Sequence, residues 1–357
     1  MQRGIDFIRA DRAPTTARAY DSHFRRFAAF CSALGRPSIP AEPLTVFAYL
    51  VSYAESGVLF GAISVACAAI AFEHRRHLYP RSPTDDPTIL SLRHALKRAL
   101  AAAARQRETI PISALVHLAE EFASPEACLV SLMLSTYMIC SVAGLFRFSD
   151  WAGVRPSSLQ FRDDLSLVEI TVPHRKNDQY CQGHLVVLAA GSTAACPVRL
   201  LHRYVQALAA HDAEQGRSPS HSQLPLFRSF VGYRYRLGTH LAAPAVPLSH
   251  MPLSYNQARN YTVQFLAHAL GLEPAEVQSR FGTHSFRRTG ASALAASGAS
   301  VETIRQAGGW ANETSPLRYI EYLCSIECTD RGSADPAPGG SPGPANSGGP
   351  LAPAPAT

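Results

Sequence analysis

The sequence predicts a mainly α-helical chain with one small antiparallel β-sheet, an α+β protein of two domains. Three observations predict it. Apolar residues recur at three- and four-residue spacing from about Thr15 to Arg107, the signature of amphipathic helices. Short β-like runs separated by turn residues appear between Ser158 and Leu188. Helical spacing then returns from Pro197 onward. A chain of 357 residues, 46% hydrophobic and of near-zero mean hydropathy, has enough apolar material for two cores.

In the first domain, breaks at Gly35-Arg36-Pro37, Gly57 and Pro80 divide the pattern into helices over Thr16 to Leu34, Pro43 to Ser56, Gly61 to Leu78 and Ile89 to Ala104. Residues 1–14 read as an N-terminal arm and 15–107 as a helical domain. The polar run from Arg105 to Ile112 reads as a linker. The second domain, residues 108–328, opens with helices over Ser113 to Phe122, with Ser113 as N-cap, and Pro125 to Cys140. Strands over Ser158 to Phe161, Leu167 to Val172 and Gly183 to Leu188 follow, with the basic tip His174-Arg-Lys-Asn-Asp178 between the last two. Helices are expected over Pro197 to Ala210 and Ser254 to Leu270. The Ser-, Pro- and Arg-rich stretch between them reads as a loop with a short extended piece around Leu226-Phe227. The Pro/Gly/Ala-rich residues 329–357 read as a disordered tail, because such a composition cannot bury a core.

No apolar run reaches the length of a membrane span, and MQRGIDFIRADRA lacks the apolar stretch of a signal peptide, so an intracellular protein is expected. The eight cysteines form no CxxC pair and no metal-ligand rhythm, which suits free thiols in a reducing compartment. The formal charge is +6. Arg greatly outnumbers Lys, which occurs only as Lys97 and Lys176. Basic clusters recur on successive helices at Arg25 and Arg26, Arg75 and Arg76, and Arg93, Lys97 and Arg98. A solvated helix face explains any one of them; together they tilt toward DNA. Asn256, Gln257 and Arg259, early in a helix, are candidates to read base edges, or simply a polar helix start.

The chemistry concentrates in Thr283 to Leu323, expected as three consecutive helices. His284 and Arg287 at i, i+3 share a helical face, and a guanidinium beside an imidazole suits a phosphate. Upstream, Arg147 is followed three residues on by Asp150, spaced either to orient the Arg or a neighbouring His, or as an ordinary ion pair. Lys176 lies at the hairpin tip. Trp310 closes the run Gln-Ala-Gly-Gly-Trp, and Tyr319 and Tyr322 follow at i, i+3 on one face, so periodicity does not choose between them.

In this order, Arg147, Asp150, Lys176, His284, Arg287, Trp310 and Tyr319 resemble the active-site set of the tyrosine recombinase (phage integrase) family, most closely its Cre recombinase-like members. Gly298 and Ile304 match the family's turn glycine and apolar anchor, and the likeness extends over roughly Thr15 to Leu323. It implies a helical core-binding domain and a mixed catalytic domain forming a clamp on double-stranded DNA. It also implies a homo-oligomer, a dimer per site and a tetramer in synapsis. The nine residues from Trp310 to Tyr319 are the Cre-like interval, which makes Tyr319 the nucleophile and Tyr322 a packing residue.

The implied reaction is attack of the Tyr phenolate on a DNA phosphate. Arg147, Arg287 and Trp310 hold the phosphate oxygens, His284 binds the phosphate or relays the Tyr proton, and Lys176 protonates the leaving 5′ oxygen. No metal, ATP or other cofactor is expected. Trp310 stands where many members have His, and Asp150 where Glu is found. After Leu323 only Cys324 to Cys328 precedes the tail, which leaves little for the C-terminal helix that members dock into a neighbour. The competing readings are a DNA-binding protein that has retired from catalysis and a monomer like type IB topoisomerases.

Overall fold

The computed structural model describes residues 13–101, 107–175, 178, 183–216, 223–232, 246–312, 314, 316 and 317. It divides into two compact units, Met1–Gln106 and Arg107–Thr357.

The first unit contains α1 (Pro14–Ala33), α2 (Pro43–Glu55), α3 (Phe60–Arg76) and α4 (Pro87–Ala99). Three of these place Pro in the first turn, where the missing N–H costs no helical bond. Asp86 caps α4 by accepting the Thr88 N–H at 2.8 Å. The helix stops at Ala99, short of the expected Ala104, and Lys97 and Arg98 occupy its last turn, where the helix dipole favours cations. Phe27, Tyr49, Leu50, Ile63, Ile70 and Ile89 form the core. Tyr49 stacks on Tyr53 at 5.5 Å, and burial beside that second phenol pushes its hydroxyl pKa up to about 12. His74, next to the basic pair Arg75 and Arg76, is buried. Its Nε2 accepts the Ala41 N–H at 3.0 Å while Nδ1 lies 2.7 Å from the Ile70 carbonyl, so the ring is a neutral bridge between two segments.

The second unit is built around α6 (Leu129–Ala143), which is apolar on all sides and almost wholly buried. It packs against α5 (Ile112–Phe122), α7 (Pro197–Glu214), α8 (Tyr255–Leu270) and α10 (Thr283–Ala296). Strands β1 (Leu159–Phe161), β2 (Leu167–Val172) and β3 (His184–Ala189) form an antiparallel sheet, with Val172 opposite His184 at the hairpin base. Val168, Ile170 and Val172 alternate into the core.

Several boundaries differ from expectation. Pro111, not Ser113, precedes the first turn of α5, and Ser113 lies inside that turn. Residues 124–127 form a turn before α6, which continues past Cys140 to Ala143. Helix α9 (Pro274–Arg280) was not anticipated, and the extended piece expected at Leu226-Phe227 is strand β4 (Arg228–Phe230), paired with β5 (Leu248–Pro252). Arg228 explains that miss. It is buried, donates to both Asp212 oxygens at 2.7 and 2.8 Å, and so fastens β4 to α7 through an ion pair that no periodicity reveals. Part of the expected linker is also bound down. Arg107 donates to the carbonyls of Gln278 and Ser279, Arg280 to Glu108 at 2.9 Å, and Arg288 to the Arg107 carbonyl at 2.6 Å. The tail lies outside the described residues.

Candidate active site

The site begins at the end of α11 (Val301–Gly308). Ser300 caps this helix by accepting the Thr303 N–H at 3.1 Å. The helix closes in a Schellman turn: Gly309 adopts φ +59°, its N–H reaches the Gln306 carbonyl, and the Trp310 N–H reaches the Arg305 carbonyl, each at 3.0 Å. That turn folds the indole back onto Leu145, Ala291 and Ile304. Gly308 is required by the same packing, since a Cβ there would lie 2.1 Å from the Trp310 ring. The Gly-Gly-Trp run is thus a device for seating one aromatic ring.

Arg287, on α10 and 3% exposed, lies with its guanidinium carbon 4.0 Å from the centre of that ring, a cation–π contact in a dry setting. Its two terminal nitrogens donate to the carbonyls of Leu145 and Gly308. Leu145 adopts φ +52°, unusual for a residue with a side chain, just after Gly144, the C-cap of α6. The chain then enters a 3₁₀ turn, Phe148–Gly153, which carries Asp150.

Asp150, 1% exposed, accepts the Arg147 N–H through Oδ2 at 3.0 Å. It therefore orients Arg147 through the backbone. Across from it stands Arg175, 6% exposed, its Nε 3.8 Å from the same oxygen. Arg175 donates from Nη1 to the Ala307 carbonyl at 3.3 Å, and a Cβ on Gly309 would come within 2.8 Å of that nitrogen. One residue on α11 and one at the hairpin base are thereby joined. Burial lowers the Arg175 pKa; the Asp150 carboxylate opposes that shift and the Arg147 charge adds to it. His184, the first residue of β3, has its pKa lowered by burial and by Arg175, so it is neutral at physiological pH.

The polar groups here are under-satisfied. Arg147 Nη1, Asp150 Oδ1, and Arg175 Nε and Nη2 are buried without a hydrogen-bond partner among the described residues. Buried guanidinium nitrogens left unpaired are costly, and an anion lodged among them removes that cost.

Of the residues expected at the site, Arg147, Asp150, Arg287 and Trp310 come together. His284 shares α10 with Arg287 but stands exposed in its first turn. Lys176, Tyr319 and Tyr322 lie outside the described residues, as does most of the expected third helix. Arg175 was missed. Its neighbour Lys176 drew attention as the mobile hairpin cation, and only the fold reveals that the preceding Arg turns inward to Asp150.

No protein-family model matches the chain. It is 24% identical over 321 residues, 88% of its length and 83% of the relative's, to the integrase/recombinase XerD homolog of Selenomonas ruminantium. The aligned span must include the region from Arg147 to Arg287, given its length. Over that span the chain resembles the tyrosine recombinase (phage integrase) family. Solved recombinase structures are similar to it as well. A Tn1549 transposon integrase bound to transposon right-end DNA matches with TM-score 0.49 and 12% identity, over 84% of this chain and 87% of the other. A lambda integrase dimer bound to a COC′ core site gives 0.48 and 16%, over 95% and 78%, and XerA recombinase 0.38 and 15%, over 92% and 97%.

The residues expected to touch DNA differ in exposure and in their partners within the chain. Arg25, Arg75, Lys97, Arg98 and Asn256 are exposed, while Arg93 and Arg259 are half-buried. Three are engaged within the chain: Arg25 donates to the Asp21 carbonyl at 3.3 Å, Arg26, also exposed, to the Tyr53 hydroxyl at 2.9 Å, and Arg76 to Glu73 at 3.0 Å. Gln257 donates its amide to the Phe230 carbonyl at 2.6 Å, which ties α8 to β4. No helix among the described residues is long and apolar enough to cross a membrane.

Proposed function

We propose that the chain is a site-specific DNA recombinase or integrase that cleaves and rejoins DNA through a covalent 3′-phosphotyrosine on Tyr319. The observation that carries this reading is the convergence of Arg147, Arg175 and Arg287 with Asp150 and Trp310, in which buried polar atoms of Arg147, Asp150 and Arg175 have no hydrogen-bond partner among the described residues. A scissile phosphate supplies the missing acceptors. As the Tyr319 phenolate attacks phosphorus, charge grows on the non-bridging oxygens, and preorganised guanidinium donors stabilise that charge most. The P–O5′ bond breaks, Lys176 supplies the proton to the leaving 5′ oxygen, and His284 attends to the phosphate or the Tyr proton. Attack by a 5′-hydroxyl on the phosphotyrosine reverses the sequence and reseals DNA without ATP. Exposed basic residues of the first unit, Arg25, Arg75, Lys97 and Arg98, are proposed to hold flanking phosphates.

The test uses nicked duplexes carrying inverted repeats taken from DNA flanking the gene. The wild-type chain should form an SDS-resistant protein–DNA adduct in the presence of EDTA. Tyr319→Phe should bind the same duplex and form none. Adduct loss in Tyr322→Phe instead would reassign the nucleophile; binding with no adduct in the wild type would leave a retired DNA binder. Relaxation of plasmids without exchange between two sites would favour the topoisomerase-like reading.

A further inference from the structure

We propose that His117, Glu121 and His268 form a binding site for a first-row transition-metal dication, with Zn²⁺ as the occupant its chemistry favours. It lies on α5 and α8, helices that supply none of the active-site residues, and it does not depend on the recombinase reading.

His117 and Glu121 stand at i, i+4 on α5, one turn apart on the same face. His268 comes from the last turn of α8, which packs against α5. Their donor atoms converge. His268 Nε2 lies 2.6 Å and His117 Nε2 3.4 Å from the same oxygen, Glu121 Oε2. All three donors fall within 4.8 Å of one another. In a tetrahedral zinc site with ligands at about 2.1 Å, neighbouring donors are roughly 3.4 Å apart, a spacing the observed range brackets. Side-chain rotation alone brings an ion into contact with all three.

The donor set selects the metal. Two imidazoles and one carboxylate suit Zn²⁺, Co²⁺, Ni²⁺ or Cu²⁺, whereas Ca²⁺ and Mg²⁺ require a shell of oxygens. The surroundings are shaped for a fixed ligand rather than a wandering surface His. Phe122 stands edge-on to His268 at 5.3 Å and is itself stacked on Phe265 at 4.3 Å, so the core determines where that imidazole sits. The two imidazole rings are parallel within 7°, their centres 6.2 Å apart. Glu121 and His268 are each 22% exposed, His117 53%, which leaves an entry path and room for a water as the fourth ligand. Asn256, at the opposite end of α8, is twelve residues from His268, about 18 Å along the axis, so the ion would link two helices rather than meet DNA there. Occupancy joins α5, which leads into α6, to α8 and stabilises the unit by mass action.

The test takes the full-length, tag-free chain stripped by chelation and titrates it with Co²⁺, then displaces Co²⁺ with Zn²⁺. One equivalent should bind, with the visible absorption of four-coordinate Co²⁺ and no sulfur charge-transfer band, and Zn²⁺ should raise the melting temperature. His117→Ala, a substitution at a half-exposed position that should fold normally, and His268→Ala should each weaken binding by about tenfold or more. Unchanged affinity in both variants, a thiolate band, or no saturable binding in the wild type would overturn the proposal. DNA cleavage is not read out, so recombinase failure and site failure remain distinct.

Discussion

Arg175 and Asp150 are both shut away from water, and each depends on the other. Removing one partner of a buried ion pair leaves the other charge uncompensated, so Arg175→Met should destabilise the second unit by on the order of 3 kcal/mol, measured by urea unfolding. The double variant Arg175→Met, Asp150→Asn should recover part of that loss, because it removes both charges together. If the cluster serves phosphate binding, the double variant should still form the adduct poorly once refolded stability is restored. A variant of normal stability and normal adduct rate would remove Arg175 from the site. At this scale the sequence was most informative where chemistry dictates residue type at a fixed spacing: Arg147 with Asp150, and Arg287 ahead of Trp310. It was silent on Arg175 and Arg228, whose partners lie far away along the chain or across a turn, and it left Gln257 open between base reading and helix start, where its amide donates to a backbone carbonyl.

Helix α10 reaches α6 by a close approach at Gly290. A Cβ there would stand 2.1 Å from the Val142 carbonyl oxygen and 2.5 Å from a Leu145 methyl. Gly290→Ala should therefore cost about 2 kcal/mol or more in stability and shift Leu145, whose carbonyl meets Arg287. Chemical denaturation measures the first effect; slower adduct formation measures the second. In the first unit the fragile element is the bridge from α3 to Ala41 through His74. Burial lowers the pKa of His74, the Ile70 carbonyl partly opposes the shift, and His77 adds to it. The unfolded chain takes up the proton first as pH falls. Stability is then complete above about pH 6.5, the ordinary His value, and declines as pH drops toward the folded-state pKa. His74→Gln should flatten that decline between pH 7.5 and 5 in urea titrations. Helix existence was legible in apolar periodicity, while helix ends were not, because Pro111, the turn before α6 and the ion-paired segment at residues 107–108 are settled by tertiary contacts.

On the scale of the whole molecule, the described residues of each unit have their own core. Phe27, Tyr49 and Ile70 belong to one, Tyr137, Tyr204 and Phe286 to the other. Calorimetry is expected to resolve two transitions, one moved by His74→Gln and the other by Gly290→Ala; one transition moved equally by both would contradict this. The expectation of two domains rests on the polar run from Arg105 to Ile112 and on the change of period at the strand runs from Ser158 to Leu188, which residue order carries and composition does not. What sequence alone did not yield was the link between the hairpin and α11. Arg175 holds the Ala307 carbonyl two residues before the Gly309 turn that seats Trp310. In genetic terms the two places form one locus of effect. Arg175→Ala and Gly309→Ala are expected to be epistatic, the double variant little worse in adduct formation than the more damaging single one, because both release the same joint.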